Sequence, residues 1–392
     1  MSRGARRFED VDAACAELVR DRAAEEPPAS FAGAGPVWCG GFAFEPEGCR
    51  EPQWSSFPPA LMFLPELAVA RHRGRTLVTL SALAGTGAEP AAAVRARLEA
   101  RLAELGPATL PLADPHPTAA TRIESVRAPG EYELAVRAAL ERIGRGEVGK
   151  VVLAREVRVT APRAHDAAAA YGALRELFAS CFCFCCGSPE AAFCGASPEL
   201  LVRREGAGAV TVALAGSTRR SADPALDDHL GEQLRRSAKD RAEHDFVVRR
   251  IERTLRPHAV WVEAAREPDL VRVANIQHLA TPIRAQLAEP LSAIELVGRL
   301  HPTPAVGGEP REPALAAIRE LERMDRGWYA GPVGWQDATG DGELCVGLRS
   351  ALLRDRTAHL YAGAGIVAGS DPAAELAETE LKLDALLPLL VA

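Results

Sequence analysis

The chain has 392 residues, 47% of them hydrophobic and 25% charged, with a formal net charge of −7. This is the balance of a globular protein with ample core, and it lacks the basic stripe that would make nucleic acid its main partner. The amino terminus is charged and then amphipathic, and no run of 18 apolar residues follows, so no signal or membrane span is read and a cytoplasmic protein is expected.

In chain order, a helix is predicted over about 8–22, with strands near 36–44, 60–70 and 76–82 and an alanine-rich helix over 89–104. LPLADPHPT, at 110–118, is punctuated by proline and reads as a connector. EYELAVRAALERI then predicts an amphipathic helix, a GRGEVG turn follows, and KVVLAREVRVT has the β-branched richness of a strand. After a helix over 165–178, short strands separated by glycine-containing turns fill 181–214. One long helix is expected at 225–255, then strands near 259–273 and 277–285 and helices near 291–300 and 312–324. WYAGPVGWQD, GELCVGLRSALLR and AHLYAGAGIV read as three strands joined by hairpin-like turns, and a helix closes the chain from about 372. Strands joined by short turns imply antiparallel sheets, so an α+β layered fold is expected.

Nine cysteines lack the paired C-x-x-C spacing of a metal site. The stretch Cys181-Phe182-Cys183-Phe184-Cys185-Cys186 reads instead as a buried strand in which thiols pack as small hydrophobes.

Only three of the 46 basic residues are lysine: Lys150, Lys239 and Lys382. Arginine and lysine are interchangeable as solvated charges but not where a compact, deprotonatable amine is needed, so these three are candidates for chemistry. Lys150 heads the apolar run VVLA. It either reaches to solvent from a strand end or sits desolvated, which favours the neutral amine a general base needs. Glu199 follows Gly195-Ala196-Ser197-Pro198 and either lies at the surface or is held protonated as a general acid. Asp240 and Glu243 share one helix face, and Glu375, Glu378 and Lys382 form a stripe on the last helix. These carboxylates either make exposed helical salt bridges or hold a hard divalent cation between two helices. Ala215-Gly216-Ser217-Thr218, Ala305-Val306-Gly307-Gly308 and Gly363-Ala364-Gly365 could bind an anion through backbone N–H groups. Arg349, read as lying within an apolar strand, needs a partner and suits a carboxylate. His244 and His278 are weaker candidates for contact with a site.

Taken together, KVVLAREV, FCGASPELLVRR, ALAGSTRRS, SAKDRAEHDFVV, NIQHL, HPTPAVGG, DRGWYAGPVGW, GLRSALL and YAGAGIVAGSDPAAELAETELK resemble the chorismate-binding family, and within it the isochorismate synthases. The likeness runs from about 125 to the C-terminus; the first third carries none of these motifs. It implies two packed, largely antiparallel sheets with the site in the cleft between them, a variable N-terminal segment at 1–118 and a catalytic core at 119–392. It also implies Mg²⁺ and chorismate, a cyclohexadiene dicarboxylate. By position, Lys150 matches a general base that activates water for attack at ring C2. Glu199 matches a general acid that protonates the departing C4 hydroxyl. Glu243 and Glu378 match metal ligands, with Asp240 and Glu375 behind them. Gly216, Ser217, Ala305, Arg349, Gly363 and Lys382 match substrate-contacting positions, with Tyr329 nearby, and Lys239 receives no role. The lysine at 150 favours water over ammonia as nucleophile, so no glutaminase partner is expected, and the chain is read as a monomer. Salicylate synthases, which keep this lysine and go on to eliminate pyruvate, are the alternative; they carry threonine where this chain has Ala305. A silent chorismate-binding protein is the other.

Overall fold

The computed structural model describes residues 2–24, 31–83, 89–106, 121–273 and 275–391. The 110–118 connector lies outside them. Among the described residues two large antiparallel sheets carry the fold. The nine-stranded sheet runs in the order Ala259–Ala264, Ile276–Leu287, Gly208–Arg219, Leu200–Glu205, Gly342–Val346, Pro332–Asp337, Val37–Phe42, Ala60–Phe63, with Asp269–Val273 also paired to Ile276–Leu287. The seven-stranded sheet runs Gly308–Glu309, Lys150–Thr160, Thr357–Val367, Ser350–Arg354, Ala191–Ser197, Phe182–Ser188, with Arg122–Ser125 paired to Lys150–Thr160. The expected α+β layering is what forms. No described helix is long and apolar enough to cross a membrane.

The Lys150–Thr160 strand is buried along nearly its whole length. It is paired on one side with Thr357–Val367 over eleven residues, which is why its sequence is almost continuously apolar or β-branched rather than alternating. The first sixty residues belong to the core as well. Val37–Phe42 pairs with Pro332–Asp337, and Phe8 of the Arg7–Val19 helix packs against Gly298, where an added Cβ would lie 3.0 Å from Phe8 Cβ and 3.3 Å from its ring. By contrast the Leu67–His72 and Arg75–Leu80 hairpin and the Ala91–Ala103 helix contribute no buried residue.

Several expected elements divide. The helix read as 225–255 is two, Pro224–Arg236 and Ala238–Leu255, broken where Ser237 takes an extended backbone and accepts a hydrogen bond from Asp240 N at 3.2 Å. Serine there caps the second helix, and S-x-x-D is the signal that marks it. The run at 60–70 is two strands, Ala60–Phe63 and Leu67–His72, and 259–273 is likewise two. The cysteine-rich stretch is not a buried strand: Phe182–Ser188 is an edge strand of the seven-stranded sheet, half-exposed, with Cys185 at the surface.

The division with most consequence is in GELCVGLRSALLR. Gly342–Val346 belongs to the nine-stranded sheet and Ser350–Arg354 to the seven-stranded one. The chain changes sheets at Gly347-Leu348-Arg349, where Arg349 has φ of 48°. A second crossing runs alongside: Ala191–Ser197 lies in the smaller sheet, Leu200–Glu205 in the larger, and Pro198-Glu199 spans them. The two crossings are tied together, Val346 N donating to Glu199 O and Ala196 N to Arg349 O, both at 3.0 Å. Glu199 and Arg349 therefore occupy paired points where both chains leave one sheet for the other.

Candidate active site

A cavity of about 690 Å³ opens at this seam, lined from both sheets and from the helices carrying Glu243 and Glu378. Of the residues singled out in the sequence, Glu199, Gly216, Ser217, Ala305, Tyr329, Arg349, Gly363, Lys382, Glu243 and Glu378 line it. Lys150, Asp240 and Glu375 do not. Lys150 lies behind the wall, wholly buried, its Nζ 3.0 Å from Glu243 Oε1 in a contact misaligned for a hydrogen bond. The alternative in which Lys150 reaches solvent from a strand end is overturned.

Local structure explains how each side chain arrives. Gly216 has φ of +75° and forms a bulge in the pairing of Gly208–Arg219 with Ile276–Leu287, between Ala215 and Ser217. A bulge re-aims the following side chain. Ser217 Oγ accordingly meets His278 Nδ1 at 3.1 Å. The first turn of the Pro372–Leu383 helix is held by Asp371, whose side chain accepts from Ala374 N, so the Glu375, Glu378 and Lys382 stripe starts from a fixed point.

The charges are arranged in lysine–carboxylate pairs. Lys150 faces Glu243, Lys239 Nζ donates to Glu375 Oε1 at 2.6 Å, and Lys382 Nζ donates to Glu378 Oε1 at 2.6 Å and to Gly363 O at 2.8 Å. Each of the three lysines in the chain thus holds one carboxylate of this cluster. The Glu378–Lys382 salt bridge lies within one helix as its spacing permits, but it borders the cavity rather than solvent. Lys239 and Glu243 do not pair along their helix; Lys239 reaches across to the last helix, the role its sequence position did not disclose.

Arg349 differs from the lysines. It is buried, makes no ion pair among the described residues, and finds only Asn275 Oδ1 at 3.4 Å and His278 Nε2 at 3.5 Å. The carboxylate partner expected for it is not found among the described residues, and its location in a crossover rather than a strand is why it can face a cavity. Burial lowers its pKa to about 10. His278, buried and next to Arg349 and Lys382, is held well below the usual imidazole range and stays neutral. Its Nε2 faces a guanidinium and so acts as acceptor, which leaves the proton on Nδ1. His278 lines the cavity, as does Arg326. His244 does not; its Nε2 meets Thr281 Oγ1 at 2.7 Å in the core.

Glu199 is 3% exposed, and burial raises its carboxyl to about 8 against the opposing pull of Lys150 and Lys382. It is a protonated acid at neutral pH, facing the cavity. Tyr329, also buried, is pushed up to about 12 by burial and stacks on Tyr361 with centroids 5.2 Å apart. Protonated phenols and a neutral carboxylic acid thus face an unpaired guanidinium across one small space.

The carboxylates suit a hard cation in their chemistry. Asp240 is raised by burial, with Glu243 and Glu378 adding like-charge repulsion, and Glu375 is raised by burial and by Glu378. Such crowding is relieved by a divalent ion. Among the described residues no three histidine, cysteine or acidic side chains converge as a ready cage. Of these four carboxylates, Glu243 and Glu378 reach the cavity, a sparse protein donor set of the kind Mg²⁺ accepts.

The family model described as chorismate binding enzyme matches residues 1–391. The salicylate biosynthesis isochorismate synthase of Pseudomonas aeruginosa is 40% identical over 387 residues, covering 98% of this chain and 79% of that protein. Isochorismate synthase MenF of Bacillus subtilis is 35% identical over 366 residues, covering 93% of this chain and 77% of the relative. The structure of MenF, the menaquinone-specific isochorismate synthase from Escherichia coli, superposes with a TM-score of 0.80 at 30% identity, over 97% of this chain and 82% of that one. A match that spans both sheets, the seam between them and the N-terminal strands shows that the chain belongs to the chorismate-binding enzyme family.

Proposed function

We propose that this protein is an isochorismate synthase, which converts chorismate reversibly to isochorismate by adding water at ring C2 as the C4 hydroxyl leaves. One observation carries the reading: a buried acid, Glu199, its carboxyl raised to about 8 by burial, lines the same cavity as Glu243, which meets the buried amine of Lys150 at 3.0 Å. Hydroxide is a poor leaving group, so its departure needs a proton donor, while the entering water must lose a proton elsewhere. An acid and a base at one site supply both, and each contributes about 10²–10⁴-fold.

Arg349, which pairs with no acid among the described residues, takes a substrate carboxylate as its partner, and a charge-assisted bidentate contact fixes the ring's orientation. His278, through Nε2 on Arg349 and Nδ1 on Ser217, holds both donors in place. Lys382 adds a second cation beside Gly363. Glu243 and Glu378 are the residues that would hold Mg²⁺, which supplies neutralisation and orientation for a ring carboxylate. Lys150, whose Nζ stands 3.0 Å from the cavity-lining Glu243, is the amine that would take the proton from water. Glu199 delivers its proton to the C4 oxygen and recovers one in the reverse direction. The names of the relatives support the same reaction, since those cited above are isochorismate synthases.

The test is to incubate the purified protein with chorismate and Mg²⁺ and separate the products by chromatography. Isochorismate alone is the expected result, lost in K150A. Salicylate with pyruvate would instead assign the second, eliminating activity, and absence of any conversion, with or without ammonia, would remove the proposal.

A further inference from the structure

The Lys150–Thr160 strand separates two cavities. Val152 lines the catalytic one, whereas Leu153 and Ala154 line a second. Apolar side chains of Val126, Tyr132, Leu321 and Met324 form much of the second cavity's wall. Its charged residues are four arginines and three glutamates: Arg127, Arg155, Arg158 and Arg323 against Glu51, Glu156 and Glu322.

The carboxylates are all engaged. Glu156 accepts from Arg158 and contacts His359, Glu51 accepts from Gln53 and from Asp325 N, and Glu322 is paired to Arg326. Arg155 is spent on Thr379, Ser125 and Glu380. Arg127 gives Nη1 to the carbonyls of Leu321 and Glu322 and stands 3.7 Å from Glu131. Arg323 makes no ion pair or side-chain hydrogen bond among the described residues. It also ends the Arg311–Glu322 helix in a left-handed conformation, φ 53°. The cavity thus combines an apolar wall with an exposed guanidinium that no acid among the described residues pairs with, the mix of apolar lining and few polar groups that small-molecule sites use.

The wall between the cavities is a hydrogen-bonded relay. Glu322 Oε1 accepts from Ala154 N at 2.7 Å, and Glu322 is clamped by Arg326. Arg326 in turn donates to Val152 O at 3.0 Å and Val306 O at 2.8 Å. Val152, Val306 and Arg326 all line the catalytic cavity. A molecule that touches Glu322 from the second cavity therefore acts on the hydrogen bonds that hold two walls of the first.

We propose that the cavity behind the Lys150–Thr160 strand is a second ligand site, which takes a small ring carboxylate against Arg323 and lowers turnover through Glu322 and Arg326. The anion pairs with Arg323, and the ring covers Leu321 and Met324.

Benzoate is the probe, with benzyl alcohol as its uncharged counterpart, followed by saturation-transfer NMR. The protein variants are R349A, which disables the catalytic cavity; R323E, which reverses an exposed charge outside it; and M324W, which fills the second cavity. The expected result is benzoate binding that persists in R349A, weakens at least about fivefold in R323E and disappears in M324W, with benzyl alcohol binding more weakly. Benzoate binding lost in R349A and kept in R323E would overturn the proposal, as would no binding at millimolar concentration. Because R323E alters an exposed side chain, the test stands even if M324W does not fold. In the kinetic arm, benzoate lowers kcat at saturating chorismate in the wild type and not in R323E; purely competitive inhibition, or none, overturns the relay. The binding arm needs no turnover, so its failure is separable from failure of the proposed reaction.

Discussion

Lys150 Nζ stands 3.0 Å from Glu243 Oε1, and the space that lets them meet is the missing side chain of Gly365. A Cβ at 365 would lie 2.9 Å from Glu243 Cδ and 3.1 Å from Lys150 Cε, and closer still to the carboxylate oxygen. The glycine is needed here for room and not for its backbone angles. Lys150 itself enters from the neighbouring strand, where it pairs with Val367.

G365A should therefore push Glu243 and Lys150 apart while leaving the fold intact, since the clash is with side-chain ends. Overpacking of one methyl costs about 1–3 kcal/mol. Displacing a catalytic pair by about an ångström costs on the order of 10²-fold in rate. Turnover of chorismate and a thermal melt, measured on the same sample, check this: a rate near wild type would show that the pair is not used.

The second prediction concerns pH. Burial raises Glu199 to about 8, so kcat/KM should fall as pH rises through that value, by roughly tenfold per unit, as the acid is lost. E199Q should remove that limb and about 10²–10⁴-fold of activity. Stability follows the same proton. The folded value lies above the ordinary carboxylate value of 4.5, so the folded state keeps a proton that the unfolded chain releases. The stability this contributes is complete below about 4.5 and drains away as pH rises toward about 8. Denaturation midpoints of the wild type should decline relative to E199Q across that window, and parallel curves would contradict the assignment.

Much of this site was legible in the sequence, and what was not had a physical reason. Lys150 at the head of VVLA was readable because a strand buried on both faces writes itself as a continuous apolar run. The break at Ser237 was also written, in S-x-x-D, and was passed over because the flanking periodicity is helical on both sides. The placement of Glu199 and Arg349 was not readable from periodicity. Both sit where the chain changes sheets, and that is decided by which strands pair, over separations such as Ser350 with Gly195. The Lys239–Glu375 contact joins helices 136 positions apart and leaves no local trace.

The third prediction follows from the carboxylates. Chelation should abolish turnover and Mg²⁺ restore it. E243Q and E378Q should each raise the Mg²⁺ concentration needed for half-maximal rate by at least about tenfold, in line with the loss of a charged ligand. The two variants should differ in one respect. E243Q removes the partner of the buried Lys150, whereas E378Q frees Lys382, which still has Gly363 O at 2.8 Å. Loss of thermal stability is therefore expected to be larger in E243Q, because an uncompensated buried charge costs several kcal/mol. Equal metal requirement in both variants and the wild type would exclude these glutamates as ligands.

The last prediction sets stability against binding at Arg349. A buried guanidinium with no acid partner among the described residues, held only by Asn275 and a neutral His278, is a cost to the empty protein. Substrate that brings a carboxylate removes that cost. R349M, which keeps the apolar stem and deletes the charge, should therefore raise the melting temperature of the free protein by a few degrees while raising KM by about 10- to 100-fold, the loss of one or two charge-assisted hydrogen bonds. R349K should recover little, because a lysine cannot reproduce the planar fork. In the wild type, chorismate should raise the melting temperature, and in R349M it should not. A variant that loses stability and keeps its KM would show that Arg349 serves the seam between the sheets and not the ligand.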